Sequence, residues 1–217
     1  AFWGYKTDGL IQTQEQLNAV KRADFQPNAE LGDVLFVDTN GDGKLDSSDR
    51  CMIGNPIPDI IYGINMGMAW KGFDLNLQFG GTIGNQIFNA MRYYTYFPND
   101  ITNKDRALMN YWTPNNTNTD IPRLTATDVN DNDRFSDMYV ENGTYFRLRN
   151  AQLGYTLPAS LTQRIKLQKV RFYVSGQNLF TISSYSGMDP EVGQSSSLSR
   201  GIDYGIYPQN ISFTGGI

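Results

Sequence analysis

The chain has 217 residues and 40% hydrophobic content, and its 18 Lys+Arg against 22 Asp+Glu leave a formal net charge of −4. Aromatics at 13% exclude a disordered chain, and an acidic balance (pI ≈ 4.8) excludes a nucleic-acid backbone binder, which needs a basic stripe. The absence of His excludes Ser-His-Asp and Cys-His nucleophiles and His-ligated zinc, and the single Cys51, unable to form an internal disulfide, is expected to pack as a small apolar side chain.

The chain opens on Ala1-Phe2-Trp3-Gly4-Tyr5, with no Met and no charged-then-apolar leader pattern, so it is expected to be a piece of something longer. The best helical pattern is Gln14 to Arg22, too short to organise a core. Val34 to Val37 reads as a strand. It enters Asp38-Thr39-Asn40-Gly41-Asp42-Gly43-Lys44-Leu45-Asp46-Ser47-Ser48-Asp49, which matches the twelve-residue calcium loop. Side-chain oxygens would come from Asp38, Asn40, Asp42, Asp46 and Asp49, with Lys44 offering its carbonyl and Gly43 making the sharp turn. Clustered carboxylates without a cation repel one another, so structural Ca²⁺ is expected here. A strand leads in and Asp49 replaces the usual Glu, so a loop-only site fits better than an EF-hand. The alternative is a solvated acidic turn.

From Ile61 to Trp70 the even positions are Tyr62, Ile64, Met66, Met68 and Trp70, and the odd ones are mostly small or polar. Lys71-Gly72 is a two-residue hairpin signal. Phe73, Leu75, Leu77 and Phe79 then alternate with Asp74, Asn76, Gln78 and Gly80. Tyr93, Tyr94, Tyr96, Phe97 and Trp112 crowd the long connection that follows; they could stack on a substrate's sugar rings or grip a peptide, or simply pack the loop. Asn142-Gly143-Thr144 is formally a sequon and reads here as a turn. Tyr145 to Leu157 is a third strand with Ala151, Leu153, Tyr155 and Leu157 on its apolar face. Arg147 and Arg149 continue that face by strict alternation and are expected beyond the hydrocarbon, near lipid headgroups. Val170 to Phe180 is a fourth strand, and Ile211 to Ile217 starts a last one.

A half-buried soluble sheet would also alternate this way. Two features favour a membrane barrel. The strands have the roughly 9–11 residues a tilted strand needs to cross a bilayer, and aromatics sit at the ends of the apolar faces. The connections also alternate short and long, one of them about 60 residues, which is rare in compact soluble domains and usual for extracellular loops of outer-membrane barrels. On this reading the Lys71-Gly72 turn is periplasmic. Five strands cannot close, and an open edge in lipid leaves unpaired backbone groups, so other strands must complete the barrel. Asn65, Asp74, Asn76, Gln78, Gln152, Arg171 and Gln177 would line its wet interior. No carboxylate pair is placed for acid–base work, so no enzyme is expected.

Several blocks carry a family resemblance: Trp3-Gly4-Tyr5-Lys6-Thr7-Asp8-Gly9, Gly32-Asp33-Val34 leading into the acidic loop, Ile53-Gly54-Asn55-Pro56, Trp70-Lys71-Gly72-Phe73-Asp74-Leu75, Glu141 to Asn150, Leu153-Gly154-Tyr155-Thr156-Leu157-Pro158, Ser175 to Phe180, Asp189-Pro190-Glu191, and Gly201-Ile202-Asp203-Tyr204-Gly205. In this order they resemble the SusC/RagA family of TonB-linked outer-membrane proteins. The resemblance implies the C-terminal quarter or so of a plugged, all-β antiparallel barrel of about 22 strands. It implies import of oligosaccharides, or peptides in some members, with a SusD-like surface lipoprotein as cap and energy from the TonB complex through an N-terminal part. One departure is the ending on Gly215-Gly216-Ile217, where the family's last strand runs on to a terminal aromatic. The organisation expected is an extracellular region over 1–57, a transmembrane hairpin over 58–80, a long extracellular loop over 81–142, a second hairpin over 143–180, a loop over 181–210 and the start of a last strand over 211–217. The other partners expected are the rest of the same barrel and outer-membrane lipid, with no nucleic acid. The competing reading is a secreted, calcium-stabilised β-sandwich that binds glycans; it requires Leu75, Leu77 and Phe79 to be enclosed by a second sheet.

Overall fold

The computed structural model describes residues 1–97, 103–192 and 199–217. In chain order its elements are β1 (Phe2–Gly4), β2 (Thr7–Leu10), α1 (Gln14–Arg22), β3 (Val34–Phe36), β4 (Cys51–Gly54), β5 (Ile60–Trp70), β6 (Phe73–Ile83), β7 (Gln86–Asn89), α2 (Ala90–Thr95), β8 (Val140–Asn142), β9 (Tyr145–Thr156), α3 (Ala159–Thr162), β10 (Arg171–Ser183), β11 (Ile202–Asp203) and β12 (Ser212–Gly216). They form two units: a sheet unit of residues 58–85, 142–191 and 206–217, and a loop unit of residues 1–57, 86–141 and 192–205.

The sheet unit is one antiparallel sheet in the order β12-β10-β9-β6-β5. The β5–β6 hairpin pairs without interruption from Ile60↔Ile83 to Trp70↔Phe73. Its two turn residues, Lys71 and Gly72, both have positive φ (45° and 90°), as a two-residue turn matched to strand twist requires. Side chains alternate across the pleat. One face therefore collects Tyr62, Ile64, Met66 and Met68 with Phe73, Leu75, Leu77 and Phe79, and the register continues it through Leu153 and Val174 to Phe213 and Gly215. This face stays open: Met68 is 67% exposed, Val174 52% and Phe213 73%. Leu75, Leu77 and Phe79 are only partly buried, and the described residues supply no second sheet to cover them. The β-sandwich reading is thereby overturned. An apolar face this continuous marks contact with a non-aqueous environment.

The sheet departs from strict alternation at one place, and the departure matters. Between Gln78↔Asn150 and Phe79↔Leu148, β9 carries one residue more than β6, namely Arg149. Against β9, β10 also gains a residue between Gln177 and Phe180, and Asn178 there has φ +52°. An inserted residue reverses the facing of everything beyond it. Leu148 and Phe146, not the arginines, therefore continue the apolar face. Phe146 stacks on Phe79 (centroids 5.2 Å apart) and on Tyr62 (6.5 Å), and lies 6.3 Å from Phe180. Arg147 turns to the polar face and is 2% exposed. The expectation that Arg147 and Arg149 reach toward headgroups is corrected by this bulge.

The loop unit is not irregular chain. Helix α1 begins at a capping box, in which Thr13 accepts from the Gln16 N–H and the Gln16 side chain accepts from the Thr13 N–H. Its Leu17 packs with Ile11 and Ala29. A second cluster joins Tyr5, Leu10, Phe25, Val34, Phe36 and Trp112, and a third joins Phe2, Phe88, Ala90 and Tyr139. Short pairings, β1–β4, β2–β3 and β11-β7-β8, tie the segments together. A buried polar chain does the same: Asn132 Nδ2 donates to Asp33 Oδ1 (3.0 Å), the Val34 N–H donates to Asn132 Oδ1 (2.8 Å), and Gln26 bonds Val34 and Phe36. Satisfied buried groups of this kind fix one arrangement, since each costs stability if left unpaired.

Candidate functional site

The polar face of the sheet is built in rows by the register. One row runs Asn65, Gln78, Asn150, Gln177, Ser212, and the next runs Asn76, Gln152, Ser175, Thr214. These are neutral amides and hydroxyls, each able to donate and accept hydrogen bonds. Charges flank the rows and are paired. Toward the β5–β6 turn, Arg171 holds Asp74 with two bonds, Nε to Oδ1 at 3.0 Å and Nη2 to Oδ2 at 2.6 Å. The pair reaches across the intervening strand at Gly154, where any Cβ would collide with both side chains.

At the other end of the rows the bulge places Arg147 and Arg149 on the polar face. Arg147 donates to Thr181 Oγ1 (2.8 Å), Asp189 Oδ1 (2.5 Å) and Glu191 Oε2 (2.9 Å). Arg149 donates through Nη2 to Glu191 Oε1 (3.1 Å) and to the Tyr145 hydroxyl (3.2 Å). Asp189 also accepts the N–H groups of Glu191 (2.8 Å) and Gln209 (3.0 Å), so it pins two segments at once. Sequence reasoning assigned this network nothing. Asp189 and Glu191 stood out only within a family block, and a period-2 reading sends both arginines to the wrong face. No residue signal marks an insertion of this kind in advance.

The acidic loop lies in the loop unit. Asp38 accepts the N–H groups of Gly41 (2.6 Å) and Gly43 (2.8 Å) through its two carboxylate oxygens. Asn40 accepts from the Asp42 N–H, Asp42 from Lys44 and Asp46 from Ser48. Asp49 is buried, with its oxygens on the N–H groups of Thr39 and Asp46, both at 3.0 Å. The Ser48 N–H and then its hydroxyl hold the Asp46 carboxyl below its usual 3.8. Among the described residues no group of three or more His, Cys, Asp or Glu converges on one point. The donor set, four carboxylates, one amide oxygen and a carbonyl, nevertheless has the hard-oxygen chemistry that suits calcium.

The structure separates the five aromatic candidates. Tyr93 and Phe97 pack around the buried Tyr139 at 5.1 Å and 6.1 Å, and burial pushes the Tyr139 hydroxyl well above its usual range. Tyr96 lies under the Arg92 guanidinium at 4.9 Å. Tyr94 is 50% exposed. Trp112 is 6% exposed, lies in the cluster with Tyr5 and Phe36, and donates from Nε1 to Gln12 Oε1 at 3.1 Å.

No family model matches the sequence. The chain is 38% identical over 227 residues to TonB-dependent receptor P3 of Formosa agariphila; the match covers 100% of this chain and 22% of the relative. It is 29% identical to TonB-dependent receptor SusC of Bacteroides thetaiotaomicron, over 89% of this chain and 18% of that protein. Its fold matches the RagAB peptide importer in the closed-closed state with a TM-score of 0.73 and 26% identity, over 99% of this chain and 22% of that one. The chain thus spans about a fifth of the length of its relatives. With a sheet that is apolar on one face and amide-lined on the other, it belongs to the TonB-dependent receptors of the SusC/RagA kind, as a part of such an all-β outer-membrane barrel.

Proposed function

We propose that this chain supplies wall and extracellular loops to an importer that carries oligosaccharides, or peptides, across the outer membrane. The observation that carries the reading is the single sheet with its oily and wet faces, whose edge strands β5 and β12 find no further partner among the described residues. Lipid tolerates no open edge, so neighbouring strands of the same barrel complete the structure. The chain does no covalent chemistry in this reading. A SusD-like surface lipoprotein caps the loops, and the TonB complex supplies energy through a part of the protein outside this chain. Tyr94, the most exposed of the clustered aromatics, is the one to meet substrate. Inactivating the full-length protein should abolish growth on one class of oligosaccharide, or on peptides, and leave growth on monosaccharides unchanged. Full-length protein drawn from the membrane in mild detergent should bring a surface lipoprotein with it. Unchanged growth on every such substrate, or a receptor that purifies alone, would overturn the reading.

Calcium belongs to the same proposal. Bound by Asp38, Asn40, Asp42, Lys44 carbonyl, Asp46 and Asp49, it would crosslink a loop that otherwise relies on side chain to backbone bonds. Chelation should speed protease nicking between residues 38 and 49; identical nicking with and without chelator counts against it.

A further inference from the structure

We infer that Arg147 and Arg149 form a carboxylate-binding fork on the inner wall, and that Glu191 occupies it as an internal stand-in for a cargo carboxylate. The inference deepens the import reading, on which it rests, by naming a chemical group of the cargo.

Two acids meet these arginines, and their surroundings differ. The Arg147–Asp189 pair is shut in, with side chains 2% and 5% exposed. Asp189 is further committed to the N–H groups of Glu191 and Gln209. Separating that pair would strand a charge away from water, so it is a fixed structural bond. Glu191 differs. Its carboxylate gives one oxygen to Arg147 Nη1 (2.9 Å) and the other to Arg149 Nη2 (3.1 Å), and both it and Arg149 are more than a third exposed (35% and 39%). Water can take over the Arg149–Glu191 contact, and an ion pair open on both sides contributes little net stability. Each oxygen of the carboxylate thus takes one charge-assisted N–H bond from a different guanidinium.

The bulge makes the fork possible. Were the same residues paired without the bulge, strict alternation would put Arg147 on the lipid face. Among the described residues of the sheet strands, the rest of the polar face is neutral apart from Asp74 and Arg171, which satisfy each other. A cargo carboxylate reaching this stretch of wall therefore finds a place where displacing an internal acid leaves two guanidiniums, with one net positive charge beyond Asp189, to receive it. Aligned donors of fixed charge suit a carboxylate whether it belongs to a uronic acid residue or to a peptide C-terminus.

The test uses the full-length protein in detergent, with two probes: a trimer of galacturonic acid and an N-acetylated tripeptide with a free C-terminus. Glu191→Gln keeps the shape of the stand-in and removes its charge, so at least one probe should bind about tenfold more tightly than to the unaltered protein. Arg149→Gln should abolish that gain when combined with Glu191→Gln, and Arg149→Lys should restore only part of it. Tightening confined to one probe identifies the source of the carboxylate. Equal binding by all variants overturns the fork. So does a tightening that an uncharged maltotriose probe or the amidated tripeptide shares equally, since that gain would come from opened space and not from the carboxylate. Uptake by cells is measured alongside. Absent uptake with the tightening intact would refute the import reading and leave the fork, whereas normal uptake with no tightening would do the reverse.

Discussion

Single side chains decide the wall's local order. Gly154 lets Asp74 and Arg171 meet across β9, and a side chain there would drive them apart. Gly154→Val should destabilise the barrel by about 1–3 kcal/mol, the usual cost of overpacking a filled site; the temperature at which the folded full-length protein loses its compact band on a gel should fall. In the acidic loop, Asp46 has a folded-state pKa below its unfolded value of 3.8. Its contribution is therefore complete above that value and disappears as pH falls through the folded pKa. Without added calcium, nicking of residues 38–49 should stay flat from about pH 7 to about pH 5 and rise below about pH 4; Asp46→Asn should remove the step. At this scale the sequence was only partly legible. Inner-facing Asn76, Gln152 and Gln177 follow from alternation alone, because alternation is what the pleat imposes. Trp112, by contrast, looks like its neighbours Tyr94 and Tyr96 in sequence, and only packing against Tyr5 and Phe36 separates it from them.

Strands β5 and β6 are the most readable elements, since both faces and the Lys71-Gly72 turn are explicit in residue type. Strand β9 is legible as far as Asn150 and misread beyond it, because an inserted residue changes facing without changing composition. The bulge gives a sharp prediction. Deleting Arg149 removes the extra residue, so regular alternation from Asn150 keeps Leu148 and Phe146 on the apolar face and Arg147 on the wet one. The deletion should therefore still assemble in the outer membrane, as should Arg149→Ala, which keeps the residue count. Loss of assembly by the deletion alone would show that the strand needs the bulge itself, through its pairing with β10, and not only the facing it sets. Strand ends were less legible than strand centres: β6 continues to Ile83 and β10 to Ser183, past the apolar alternation that marks them.

For the molecule as a whole, the open apolar face and unpaired edges predict that residues 1–217 expressed alone will not remain dispersed in water, whereas the full-length protein will stay dispersed in detergent. A soluble monomer of the chain alone would contradict the wall reading. The loop unit draws on three separated stretches, residues 1–57, 86–141 and 192–205, which share their cores: Trp112 with Tyr5 and Phe36, and Phe88 with Phe2 and Ile202. Length and composition announce long connections but not that they fold together, because the pairing partners lie far apart in sequence. Joint ownership of those cores constrains how such receptors can diverge. A change of specificity cannot arrive by grafting one stretch from a cousin, since it would meet mismatched counterparts from the other two. Recombinants that keep their shape must import all three as a matched set, and hybrids made one segment at a time should misfold in the loop unit and leave the wall unaltered.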